Sequence, residues 1–291
     1  MTDKKRNRFA IKTVLIFSLL PQLLRIIVDV IYSYEIAGNI AYDSWVEVAV
    51  LLISDILSKI SFFSALGTVI CLSSLRPLKD GASWSLLGIV IYGLSYVALY
   101  TVKDFYTVFA MFLLTAVISV YIILHFRNGD AGAIAAVLST LIMPLFGGFA
   151  ALYASNVPSV DELISVLFYF VANFSLEVIL VLSSAVVSNA LARKKGGYDK
   201  GPEGKIFSFK NPSMVCMAVF SLAFAVMTSV NPIVEGISFA IDNASIMTGN
   251  DWLIRVAEPI ADVFILFAVG YLIMRIIYGV LERGIKSAKN G

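Results

Sequence analysis

The segment from Asp251 to Arg275, DWLIRVAEPIADVFILFAVGYLIMR, constrains this chain more than any other. It is long and apolar enough to cross a bilayer as a helix, yet Asp251, Arg255, Glu258 and Asp262 all fall in its first half. On an uninterrupted α-helix these four positions line up as one narrow stripe, and such a stripe cannot face hydrocarbon without a large cost. Asp262 stands eleven residues beyond Asp251. At about 1.5 Å of rise per residue that places it ~16 Å deep, close to the middle of a ~30 Å hydrocarbon layer. The stripe therefore requires neighbours made of protein or water, and the rest of the chain has to supply them.

Composition agrees with that demand. Of 291 residues, 59% are hydrophobic and 14% charged, and the mean hydropathy is +0.88, values outside the range of an ordinary soluble domain. The expected fold is an all-α polytopic membrane protein with short loops and no soluble domain. Eight apolar segments are long enough to span, near 10–33, 45–73, 84–101, 105–126, 131–154, 162–192, 213–240 and 252–280. The basic start runs on through Pro21, Arg25 and Asp29 with no small-residue cleavage site, so the first segment reads as a retained span.

Charge asymmetry sets the expected orientation. Eighteen of the 22 Lys and Arg residues fall in the N-terminus through Lys12, the 74–83 turn, the 125–130 turn, the 193–211 loop and the tail from Arg275. The intervening connections carry Glu35, Asp43, Asp104, Asp161, Glu162, Asp242 and Asp251. By the positive-inside rule both termini are cytoplasmic in a cell membrane, and the eight-span count keeps the alternation intact. The Gly- and Lys-rich loop at 193–211 reads as a flexible cytoplasmic connection close to anionic headgroups. Spans three and four contain no ionisable residue within their apolar runs and read as a lipid-facing hairpin. Pro144 with Gly147 and Gly148 marks a kink or a close approach in span five.

Charges within the spans point to the interior. Arg25 has Asp29 one turn away, Lys59 has Asp55, and Arg255 has Glu258 or Asp251, spacings that permit local neutralisation. Asp262, Glu235 and Glu177 have no basic partner on their own helix. A carboxyl in such surroundings is suited to exchanging protons or binding a cation. Spans one, two, seven and eight are therefore expected to enclose an outward-facing polar cavity, with Asp262, Asp55, Glu258, Arg255, Asp29, Arg25, Lys59, Glu235 and Glu177 as its candidate solute- or proton-binding residues. The competing reading gives the same charges a structural role, docking against each other or against a partner subunit.

Other chemistries find little support. Cys71 and Cys216 both lie in apolar runs, as inert thiols do, and the one histidine, His125, leaves an intramembrane metalloprotease or serine protease without its constellation. An aspartyl pair such as Asp55 and Asp262 lacks a recognisable local motif. Gly204–Lys205 is followed by Ile206 instead of Ser or Thr, so it is no phosphate loop. No cofactor or metal is called for, and no soluble module could host nucleic acid. Two functions remain: a small secondary transporter or permease for a polar or cationic solute, proton-coupled through its carboxylates, and a non-catalytic membrane subunit or scaffold.

Overall fold

The computed structural model describes residues 3–31, 45–75, 179–194, 208–209, 211–243 and 248–290, together with Val90 and Glu177. These are almost entirely helical, and no strand occurs among them. The elements are α1 (Asp3–Val14), α2 (Leu20–Ile31), α3 (Trp45–Leu75), α4 (179–194), α5 (Pro212–Asp242), α6 (Gly249–Trp252) and α7 (Glu258–Asn290). Among the described residues four stretches are long and apolar enough to cross a membrane: Arg8–Val28, Val48–Ser74, Pro212–Asp242 and Gly249–Gly284. They coincide with the first, second, seventh and eighth spans expected from hydropathy. The third to fifth spans, most of the sixth and most of the 193–211 loop lie outside the described residues.

Local sequence explains where these helices begin and bend. Asn211 caps α5 by accepting hydrogen bonds from Ser213 N at 3.0 Å and Met214 N at 3.3 Å, and Pro212 takes a first-turn position where its missing N–H is harmless. Thr248 and Asp251 form a reciprocal capping box at the start of α6. Two π-helical turns, Leu15–Leu19 and Leu253–Ala257, join α1 to α2 and α6 to α7. Each is followed two residues later by proline, Pro21 and Pro259, which has no N–H for the fourth carbonyl back and crowds it sterically. The ladder widens there instead of breaking: Leu20 N–H bonds Leu15 O, and Glu258 N–H bonds Leu253 O.

Helix directions follow from paired contacts. Ser18 meets Ser61 and Arg25 meets Ser54, so the first helical rod runs antiparallel to α3. Gly67 of α3 lies against Met274 of α7, and Gly270 of α7 lies against Phe63 of α3, so these two run parallel. Ser213 with Tyr278, Ser221 with Phe267, and Gly236 with Arg255 make α5 antiparallel to α7. Asn189 Nδ2 donates to Ser73 O at 3.1 Å, docking α4 on α3. Phe9 packs on Gly284, which brings the two ends of the chain to the same side of the bundle. Exposed Arg8, Lys12, Arg193, Lys194 and Arg283 gather on that side, while Trp45, Asp242 and Trp252 mark the other.

Packing is concentrated at the basic end. Residues 61–74 of α3 are all buried, covered by α4, the first half of α5 and the second half of α7 through residues such as Leu182, Met217, Met274, Ile277 and Tyr278. Because lipid tails are as apolar as Leu, close fit rather than water exclusion holds such helices together, and small residues at crossings supply it. A Cβ at Gly67 would sit 3.0 Å from Met274 Cα, so this crossing needs glycine. Ser221 Oγ donates to Phe267 O at 2.6 Å beside it. Cys71 and Cys216 are free and buried in this core, as their apolar settings suggested.

Candidate functional site

The other half of the bundle is looser, and it carries the charges that fall within the apolar helices. Before Ser61, α3 buries only Ser54 among its described side chains; before Gly270, α7 buries none; beyond Ala225, α5 buries only Ser229, Gly236 and Ala240. At the boundary Phe62, Phe63 and Phe224 cluster, with Phe62 and Phe224 stacked at 4.6 Å and Phe63 edge-on to Phe224 at 5.1 Å. These three rings form the floor on which the polar half rests.

Asp55 and Lys59 form the ion pair that their spacing predicts, with side chains 52% and 27% exposed, respectively. Arg25 is partly buried and donates from Nε to Ser54 Oγ at 2.9 Å, across the α2–α3 seam. It also lies within electrostatic reach of Glu177, itself partly buried on a third helical segment. The sequence offered Asp29 as the partner of Arg25 and left Glu177 alone; folding brings Glu177 within electrostatic reach of Arg25. Asp29 belongs to α2, but its side chain lies outside the described residues.

The stripe on the last helix is altered by the π turn. Uninterrupted α-helical spacing would align Asp251, Arg255, Glu258 and Asp262, but Leu253–Ala257 inserts an extra residue between the first and last of them and rotates the two ends relative to each other. Asp251 is committed to the helix cap, its carboxylate accepting from Thr248 N at 2.9 Å and Thr248 Oγ1 at 2.6 Å. The Arg255 guanidinium lies 4.0 Å above the Phe239 ring, a cation–π contact the sequence did not reveal. Its backbone carbonyl, which Pro259 cannot engage, packs on Gly236 of α5. Glu258, Asp262 and Glu235 are exposed.

Sequence reasoning overlooked the polar lining of the α2–α3 seam. Ser18 Oγ donates to Ser61 O at 3.0 Å and Ser61 Oγ donates to Ser18 O at 2.7 Å, a reciprocal pair at the helix crossing. Gln22 falls between this pair and the Arg25–Ser54 contact; it is 1% exposed, and its Oε1 meets no donor among the described residues. Ser64 Oγ, one turn beyond Ser61, is likewise buried and unpartnered among them. The signal was present as helical spacing: Ser18, Gln22 and Arg25 on one helix, and Ser54, Ser58, Ser61, Ser64 and Thr68 on the other.

Compared with known proteins, the chain matches no family, no curated protein and no solved structure. The chemistry of the site therefore rests on its residues alone.

Proposed function

We propose that the chain is a small secondary transporter or permease for a polar or cationic solute, coupled to protons through intramembrane carboxylates. The observation that carries this reading is the contrast along the helices, tightly packed at the basic end and exposed with charged side chains at the other. In a cell membrane with the basic end cytoplasmic, that contrast supports an outward-open half above a closed inner half, with a site near midplane as transporters commonly have. Asp262, Asp55 and Glu177 are its coupling carboxylates, and Arg25, Asp29, Lys59, Glu235, Arg255 and Glu258 set its local field.

The eight-span topology with both termini cytoplasmic belongs to the same proposal. The parallel course of α3 and α7 supports it, because the second and eighth crossings of an alternating chain run the same way. Glu177 near Arg25 and Asn189 on Ser73 give α4 that direction too, as a sixth crossing requires.

The test begins with purified protein screened for thermal stabilisation by ions and small solutes across pH, since a ligand that binds only the folded state raises its midpoint. Asp262→Asn is then compared with wild type in proteoliposomes. A coupling residue loses pH-dependent uptake while the protein stays folded. Loss of assembly with no uptake to lose, and copurification with a stoichiometric membrane partner, transfers the case to the scaffold reading. One observation favours that alternative: Asp55 and Asp262 stand on exposed helix faces, which a partner's helix would cover.

A further inference from the structure

The α2–α3 seam holds a graded series of polar groups inside an otherwise apolar bundle. It starts in the open half with Arg25 and Ser54, with Glu177 of a third helical segment within electrostatic reach of Arg25, passes Gln22 and the Ser18–Ser61 crossing, and continues along α3 to Ser64 and Thr68. With Ser58 between Ser54 and Ser61, successive polar positions on α3 are three or four residues apart, a rise of about 5 Å each, which is the span of one hydrogen-bonded water. From Ser54 the column therefore descends ~20 Å toward the basic end by Thr68. Two of its atoms, Gln22 Oε1 and Ser64 Oγ, are buried without a protein partner among the described residues. A buried acceptor left bare in a membrane interior is costly, and where such atoms recur along a polar seam they are satisfied by water.

We propose that this seam is a hydrated proton path, with Glu177 as its outer proton acceptor and Gln22, Ser61 and Ser64 as its relay. This deepens the proton-coupled reading above and rests on it for its physiological role. A hydronium ion in the open half gives its proton to the Glu177 carboxylate and leaves as water. The resulting carboxylic acid passes the proton to water held against Gln22 Oε1, and Glu177 returns to its ionised form beside Arg25. Ser61 Oγ turns from Ser18 O to donate its proton onward as it accepts the next, and Ser64 Oγ does the same, so both end unchanged and one proton has moved inward. Arg25 lies within electrostatic reach of Glu177 and keeps its charge throughout, without carrying the proton.

Proton flux and hydration are measured separately on the full chain. Proteoliposomes with a trapped pH dye are given a potassium diffusion potential, and no solute is added. Wild type should acidify the lumen, Glu177→Gln should fall to the rate of protein-free vesicles, and Gln22→Leu should slow the flux about tenfold by removing the acceptor. Thr228→Val, on an exposed face of α5, should behave as wild type. In a background lacking Cys71 and Cys216, Ser64→Cys should react with a small water-soluble thiol reagent about tenfold faster than Ala65→Cys, because thiolate formation needs water. Wild-type flux no greater than that of empty vesicles, flux untouched by Glu177→Gln, or equal labelling at 64 and 65 would each overturn the path. Flux that survives every control while no solute is ever taken up leaves the path standing and refutes the transporter reading.

Discussion

Gly236→Ala tests the crossing that anchors the charged end of the last span. A methyl at this position would lie 2.9 Å from the Arg255 carbonyl carbon and nearer still to its oxygen. Ordinary carbon contacts are about 3.5 Å or more, so α5 and the π turn must separate by ~1 Å. Both sides are backbone, and no rotamer change can relieve the strain. Overpacking of this kind costs about 3 kcal/mol, against which the better helix propensity of alanine returns ~1 kcal/mol, leaving a net loss near 2 kcal/mol. Gly279→Ala supplies the contrast, since its added methyl meets nothing within 4 Å. That variant should gain about 0.5–1 kcal/mol from propensity alone. Unfolding in a mixed detergent titration reads both changes on one scale. Equal stability of the two variants would mean that the Arg255 peptide does not rest on Gly236, and the account of the α5–α7 crossing would fail with it.

Three further outcomes are expected. A double-mutant cycle on Ser18→Ala and Ser61→Ala should show a coupling of about 1 kcal/mol in the same titration, in the range of interhelical hydrogen bonds within membranes; additive losses would dissolve the reciprocal pair. Arg255→Gln and Phe239→Leu should couple by ~0.5–1 kcal/mol, as an exposed cation–π contact does, and the coupling should persist in high salt better than a surface ion pair. For topology, single cysteines at Ala41, Asn156 and Ser245, in a background without Cys71 and Cys216, should react with an impermeant reagent added to sealed cells. One at Tyr198 should not, and its labelling would reverse the orientation.

The four long apolar helices were legible because length and hydropathy suffice to mark a helix that must satisfy every backbone hydrogen bond within itself. The Asp55–Lys59 pair was legible for the same local reason, an i, i+4 spacing on one face. What escaped was whatever depends on two helices meeting. Arg25 and Glu177 are far apart in the chain, and only packing brings them within electrostatic reach of each other. The seam serines hide in plain composition, since a hydroxyl bonded within its own helix, as Thr68 Oγ1 is to Ser64 O at 2.8 Å, scarcely lowers the hydropathy of a span. Pro259 lies inside the stripe, but the spacing argument kept a regular helix through it. The widened turn there changed which charges share a face.

The full enclosure of α3 from Ser61 to Ser74 also carries a schedule. Met274, which closes over Gly67, is synthesised roughly two hundred residues after it, and at about 5–20 residues per second the wait is on the order of 10–40 s. Throughout that interval the serine-bearing surface of the second helix has the first helix on one side and, on the side reserved for α7, whatever the translocation machinery or the bilayer provides. The last helix is therefore the one that ends the exposure of the second, and a chain that stops short of Glu258 retains an unfinished, hydroxyl-rich surface that membrane quality control can recognise.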